Sequence, residues 1–264
     1  MRTTLQKIFG KRIDIAVLLI LPLAGSLLSF ATKTNAFWGT LIFLGAPAAY
    51  LSLRERDHIK KAALFSLLVT PIIILVDYIA DITQTWLIPN SILNYRLFGF
   101  VTLEVILWFI LNIYLAVMFY EHFLDKHITD KAWRPRLKYL LIIVSIIFLF
   151  FIIFLFGSYK LIYVPYWYLA SGAVFILLPI LLQAINFPRV FYKIIKVAVY
   201  FFYLTFIFEV TALKLGWWIF PGKEYVGWVS VSGVKFPLEE FVFWFILFAL
   251  AVLSIYEYYD DDER

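Results

Sequence analysis

Six carboxylic acids stand in or at the edges of long apolar runs: Asp77 and Asp81 near the end of one, Glu104 in the opening of the next, Glu209 at the end of a later one, and Glu239-Glu240 just after Pro237 at the start of the last. A carboxylate at the centre of an apolar membrane helix costs about 2.5–3.5 kcal/mol, so each needs a reason to be there. Acids close to a span end can reach the interface, and the Glu239-Glu240 pair can also cap a helix N-terminus. Glu104 and Glu209 have apolar neighbours on both sides and would need a cavity. Together such acids offer acid/base chemistry, since a cluster of buried carboxyls can keep one member protonated while another is ionised. Tryptophans stand close to them: Trp86, Trp108, Trp217, Trp218 and Trp244. Trp86, Trp217, Trp218 and Trp228 suit an aromatic belt at the membrane interface. They suit equally a π-lined cavity that favours a cation by about 0.5–2 kcal/mol per ring.

The elements that must hold these residues are helices. The 264 residues are 64% hydrophobic and 20% aromatic, beyond the range of ordinary soluble domains. Eight runs have the length of a span: 13–31, 36–53, 62–79, 99–119, 139–157, 161–183, 190–212 and 237–256. Such unbroken runs exclude a β-barrel and predict an all-α, polytopic transmembrane bundle. The first run is too long for a cleaved signal and is expected to remain as a helix. Lys and Arg alternate in density across the connections, as at Arg54, Arg56, Lys60 and Lys61, and then Lys126, Lys131, Arg134, Arg136 and Lys138. That pattern predicts a multi-pass protein with both termini cytoplasmic. All six acids then fall at the non-cytoplasmic end, in a bundle where only Pro71, Pro165 and Pro179 are expected to interrupt spans.

The chain also repeats itself. Asp77 followed by Trp86-Leu87-Ile88-Pro89 matches Glu209 followed by Trp218-Ile219-Phe220-Pro221 at an offset of 132. Glu104, Trp108, Tyr120 and Glu121 match Glu240, Trp244, Tyr256 and Glu257 at 136. Chance similarity between apolar segments would match Leu and Phe, not these rarer types. The expected organisation is two tandem parallel repeats of about four helices, 1–132 and 133–264, whose acids meet around a shared cavity.

Phe236-Pro237-Leu238-Glu239-Glu240-Phe241, with Trp218-Ile219-Phe220-Pro221-Gly222 ahead of it and Tyr256-Glu257 closing the span, resembles the lycopene cyclase domain of heterodimeric and fused carotenoid cyclases. Both halves take part in the resemblance, as in the fused form with two domains on one chain. In the first half the corresponding stretch is Val101-Thr102-Leu103-Glu104, so only Glu104 remains of Pro-x-Glu-Glu. The resemblance implies a non-redox isomerisation without cofactor, in which a linear polyene such as lycopene is protonated at one end and closed into a ring inside the membrane. It implies catalytic roles for Glu239, Glu240, Glu209, Glu104 and Asp77: one of the Glu239/Glu240 pair as the acid, and Glu209 or Asp77 as base or cation stabiliser. Trp86, Trp108, Trp217, Trp218, Trp244 and Pro237 are the residues expected to shape the substrate site.

Two other readings remain open. Asp77-x-x-x-Asp81 has the spacing of a magnesium-diphosphate pair in an intramembrane prenyltransferase, although Leu213 replaces the second aspartate in the later repeat. A proton-coupled carrier or isoprenoid-binding protein would also use duplicated helices and membrane acids. The sequence has no cysteine, no dinucleotide fingerprint and no phosphate-cradling loop. His58, His122 and His127 lack metal-binding spacing and are expected to be solvated in connections, so no metal site is expected. The net charge of +5 is assigned to topology and lipid headgroups, with no nucleic-acid partner.

Overall fold

A computed structural model of the chain describes residues 4–125, 135–158 and 162–260, with side chains described for 10–125, 135–157 and 162–259. Eight helices among them are long and apolar enough to cross a membrane: α1 (Gly10–Thr32), α2 (Ala36–Arg54), α3 (Arg56–Ile82), α4 (Leu103–Phe123), α5 (Leu137–Gly157), α6 (Trp167–Asn186), α7 (Pro188–Leu215) and α8 (Glu240–Tyr259). An apolar chain of this kind satisfies its backbone only within helices, which is why each expected run has become one. α4 packs on α2, α3 and α8, while α8 also leans on α6 and α7. α1 lies along α7, and α5 lies along α3. Buried aromatics such as Phe43, Tyr78, Tyr120, Tyr168, Phe208 and Phe245 fill the space between them. The outward faces are apolar too, as at Leu27, Phe150, Ile185 and Val199, which suits a hydrocarbon surround rather than water.

Three helix starts fall later than the hydropathy predicted, each because local chain geometry delays the first turn. α4 begins at Leu103, since Thr102 is extended and Val101 is bridged to Leu97. α6 begins at Trp167 after Tyr166 in the left-handed region, so Pro165 lies ahead of the helix rather than within it. Pro237 ends a strand instead of opening α8. Conversely, Pro22 lies inside α1 and Pro47 in the first turn after a wide π-helical segment of α2.

The π-helical segments were not foreseen. They span Leu41–Gly45 in α2, Gly172–Leu177 in α6 and Glu240–Leu247 at the start of α8. After the first two, the helix resumes as Ala46–Arg54 and as Leu178–Asn186, and each stops at a residue with almost the same backbone: Glu55 (φ −135°, ψ 73°) and Phe187 (φ −136°, ψ 62°). Among the described residues the helices are joined by one two-stranded hairpin, β1 (Trp228–Val231) with β2 (Val234–Pro237), registered from Trp228↔Pro237 to Val231↔Val234. Its two-residue turn, Ser232-Gly233, has positive φ at both positions (51° and 80°), the backbone that matches the twist of a tight hairpin.

The histidine expectation is corrected. His58 and His122 are buried, because the short connection after α2 folds against the last turn of α4 and draws both rings into contact with acids. His122 Nε2 lies 2.9 Å from Asp14 Oδ2 and its Nδ1 3.2 Å from Glu55 Oε2. Asp14 also accepts from Tyr50 and pairs with Arg54 at 2.8 Å. His58 Nδ1 lies 3.3 Å from Glu121 Oε2, and Lys61 Nζ lies 2.9 Å from Glu121 Oε1. His127, with Lys126, Lys131 and Arg134, lies outside the described residues.

Candidate functional site: an acid and tryptophan cavity

At the opposite end of the bundle from these histidines, α3 and α7 finish and α4 and α8 begin. Asp77 occupies the last turns of α3 and Glu209 those of α7. Beyond each helix the chain turns back as a short extended segment, Trp86-Leu87-Ile88 or Trp218-Ile219-Phe220. The two segments pair antiparallel at their middle residues: Leu87 N donates to Ile219 O at 3.0 Å and Ile219 N to Leu87 O at 2.9 Å. Alternation along an extended segment then sends Trp86 with Ile88, and Trp218 with Phe220, to the other side, into a common cavity. Each tryptophan is held by the acid nine residues before it. Trp86 Nε1 donates to Asp77 Oδ1 and Trp218 Nε1 to Glu209 Oε1, both at 2.7 Å.

The cavity encloses about 540 Å³ including its mouth. Its lining includes Glu104 and Trp108, four apart on α4, and Glu240 and Trp244, four apart on the π-helical start of α8. Three carboxyl groups, from Glu104, Glu209 and Glu240, thus share one chamber with four tryptophans, and no Lys, Arg or His is among its lining residues. All three acids are buried. Trp244 sits at the centre of the aromatic wall, with ring centroids 5.9 Å from Trp86, 6.1 Å from Trp108 and 5.3 Å from Phe109. These contacts are edge-to-face, so ring faces remain available to a guest. The indole N–H of Trp108 has no partner among the described residues.

The three acids differ in what restrains them. Glu104 accepts from Ser91 Oγ at 2.8 Å and from Ile92 N at 2.5 Å, which ties it to the connection before α4. Among the described residues Glu209 accepts only the indole of Trp218. Glu240 has no hydrogen-bond partner among the described residues. Its neighbour Glu239 does not line the cavity: its Oε1 accepts from Val226 N at 2.5 Å, while its buried Oε2 has no partner among the described residues. Glu239 therefore fastens the connection before α8, as Glu104 fastens the one before α4.

The other expected residues divide. Asp77 is buried and reaches the chamber only through Trp86. Trp217 is outside the lining; its indole donates to Thr34 O at 2.6 Å and its ring lies against Gly39. Pro237 pairs with Trp228 in the hairpin and is not among the lining residues. Asp81 is engaged by Arg96 at 3.1 Å, and no group of three metal-ligating side chains exists among the described residues. Sequence reasoning missed Thr40, Ile88, Tyr168 and Phe220 in the lining. Ile88 and Phe220 had a signal, since each stands two residues after a loop tryptophan at the 132 offset.

Fold and site together define a bundle of membrane-length helices that closes over a cavity lined by carboxyl groups and tryptophans. No protein-family model, curated protein or solved structure matches this chain.

Proposed function

We propose that this is a multi-pass membrane protein that cyclises a linear polyene of the lycopene type by acid/base isomerisation. The observation that carries the reading is the chamber in which three carboxyl groups and four tryptophans meet with no basic residue in the lining. Positive charge on a hydrocarbon has aromatic faces and carboxylates to meet it there. On this reading Glu240 donates its proton to the terminal double bond, because its carboxyl lines the chamber and no hydrogen bond restrains it among the described residues. The neighbouring double bond attacks the resulting cation and forms the ring bond. Glu209, oriented by Trp218, takes the proton lost next to the ring cation, so that the product is an isomer of the substrate and the proton returns to Glu240 for the next turn. No oxidant or cofactor enters this balance.

The protein on this reading is two copies of one four-helix unit, 1–132 and 133–264, with both termini cytoplasmic. The equal Asp77–Trp86 and Glu209–Trp218 bonds, the recurrence of the π-helical break in α2 and α6, and the matched stops at Glu55 and Phe187 support duplication. The copies have diverged. In the first, the leading acid is turned toward its tryptophan and away from the chamber lining, and Glu104 is occupied by its loop.

The test is pigment analysis by chromatography after expression in lycopene-accumulating cells. Wild-type chain is expected to give ringed products, Glu240→Gln to lose them by about 10²–10⁴-fold, and Glu239→Gln to retain part of the activity in proportion to folded protein. Full activity in Glu240→Gln refutes the assignment. A carrier is the second reading, favoured by the broken geometry of α2, α6 and α8 at the acid chamber. Substrate-dependent proton flux into vesicles, without ring formation in cells, would select it.

A further inference from the structure

A second cavity lies directly beneath the first, about 950 Å³ including its opening, walled by α3, α4, α5, α6 and α8. The two cavities share Phe109 and Trp244 in their linings, so they adjoin at those rings. From Trp244 the second chamber runs away from the carboxyl groups: its wall extends from Val76 to Phe65 on α3 and from Trp244 to Ile255 on α8, eleven helical steps each, or about 16 Å of helix. Every lining residue is apolar or aromatic except Ser171, whose hydroxyl is spent on Tyr168 O. A polar cluster lies beyond the chamber's far end. Phe65 packs on Tyr256, whose hydroxyl donates to Glu121, and Glu121 is paired with the buried Lys61. One side is open: Ile143 on α5 is 47% exposed at the rim.

We infer that this apolar chamber, joined to the acid cavity at Trp244 and Phe109, holds the unreacted arm of an uncharged hydrocarbon whose end lies among the carboxyls. The inference rests on the cyclase reading for the identity of the reacting end and goes beyond it in assigning a second binding site. The chemistry of the walls selects the occupant. A phosphate, sugar or carboxylate would lose its hydration against a lining that holds no Lys, Arg or His, whereas a polyene loses nothing and leaves water with less apolar surface to cover. Length selects it as well. A ligand held only in the acid chamber would need no second cavity in line with it, while a long chain must go somewhere once its end has passed Trp244. The open flank at Ile143, against the most lipid-like helix of the bundle, lets the remainder of the chain reach the surround and gives the hydrocarbon a sideways entry.

The experiment is a titration of the purified full-length chain in lipid nanodiscs with lycopene, read by quenching of tryptophan fluorescence. Ala251 on α8 and Val144 on α5 both line the chamber, are buried, and lie away from the carboxyls. Wild-type chain is expected to bind saturably, and Ala251→Phe and Val144→Phe, which fill the space from opposite walls, each to weaken binding at least tenfold with unchanged helical circular dichroism. Unaltered affinity in a folded variant of either kind overturns the inference. So does non-saturable partitioning with the wild-type chain, which requires no variant to fold. Because quenching reports occupancy whether or not rings form, saturable uptake that depends on the chamber in a chain that never forms rings would overturn the cyclase reading and leave this one standing.

Discussion

Glu239 and Glu240 are adjacent in sequence and have opposite surroundings, one tied to a backbone amide and the other facing a chamber of indoles. The same contrast separates Trp217 from Trp218, and it gives a prediction at the level of single atoms. Trp218→Phe keeps the ring and removes the N–H that orients Glu209. It is expected to lower ring formation per folded molecule by about 10-fold or more, with little change in thermal stability, since the general base loses its alignment while a part of its catalytic effect remains. Trp217→Phe removes a donor to Thr34 O and is expected to do the reverse: a loss of about 1–3 kcal/mol in stability, with activity per folded molecule preserved. Pigment yield normalised to detergent-solubilised folded protein, together with thermal melts, separates the two. The residue types of the site were legible in the sequence, because carboxyls and tryptophans in apolar runs are costly and conspicuous. Which of two neighbours faces inward was not, because it depends on where the first turn of α8 starts and on its π-helical width. Asp77 and Trp217 had the right types and spacing, and the chain spends both on other partners.

The connections that shape the chamber are held by individual hydrogen bonds, so a local change there should be felt at the chamber. Tyr225 clamps the second connection onto the first: its hydroxyl donates to Thr85 O at 2.9 Å and accepts from Gly222 N at 3.1 Å. Burial pushes this phenol up from 10.0 to about 12. Because the folded form holds the proton more tightly than the unfolded chain, the clamp contributes fully below pH 10 and is lost as pH rises from 10 toward 12. Tyr225→Phe is expected to cost about 1 kcal/mol at neutral pH and to flatten the fall in stability above pH 10, as measured by melts across pH. Gly39 offers a steric counterpart. A Cβ there would come within 2.0 Å of the Trp217 ring, so Gly39→Ala is expected to destabilise by about 1–3 kcal/mol through displacement of that ring. Element existence was readable because a run of about 20 apolar residues has few alternatives to a helix. The hairpin also carried a signal, Ser232-Gly233 between alternating residues, masked by lying in a connection expected to be irregular. The buried histidines carried none. Their burial follows from contacts with Asp14, Glu55 and Glu121, partners brought close by packing of α1, α2 and α4 rather than by spacing along the chain.

At the scale of the whole chain, the halves meet along most of their length. α1 packs on α7, α3 on α5 and α4 on α8, and the backbone bridge of Leu87 with Ile219 joins their loops. Each large cavity is walled from both halves. A half alone would expose Trp86 and Trp108, or Trp218 and Trp244, on an open face, and would leave the Leu87 or Ile219 backbone groups unpaired, at a cost that water-poor surroundings make larger. Two separately expressed chains, 1–132 and 133–264, are therefore expected to assemble when made together and to fail singly. Assembly would be read as co-purification of the untagged half with the tagged one, with a single elution peak and helical circular dichroism. A half that purifies alone as a stable, helical species would show that its core is its own, and the chamber would then be a seam between two finished domains. Co-purification that is lost on substituting Leu87 with proline, which removes one bridge donor and leaves the helices untouched, would place the decisive contact at the paired loops.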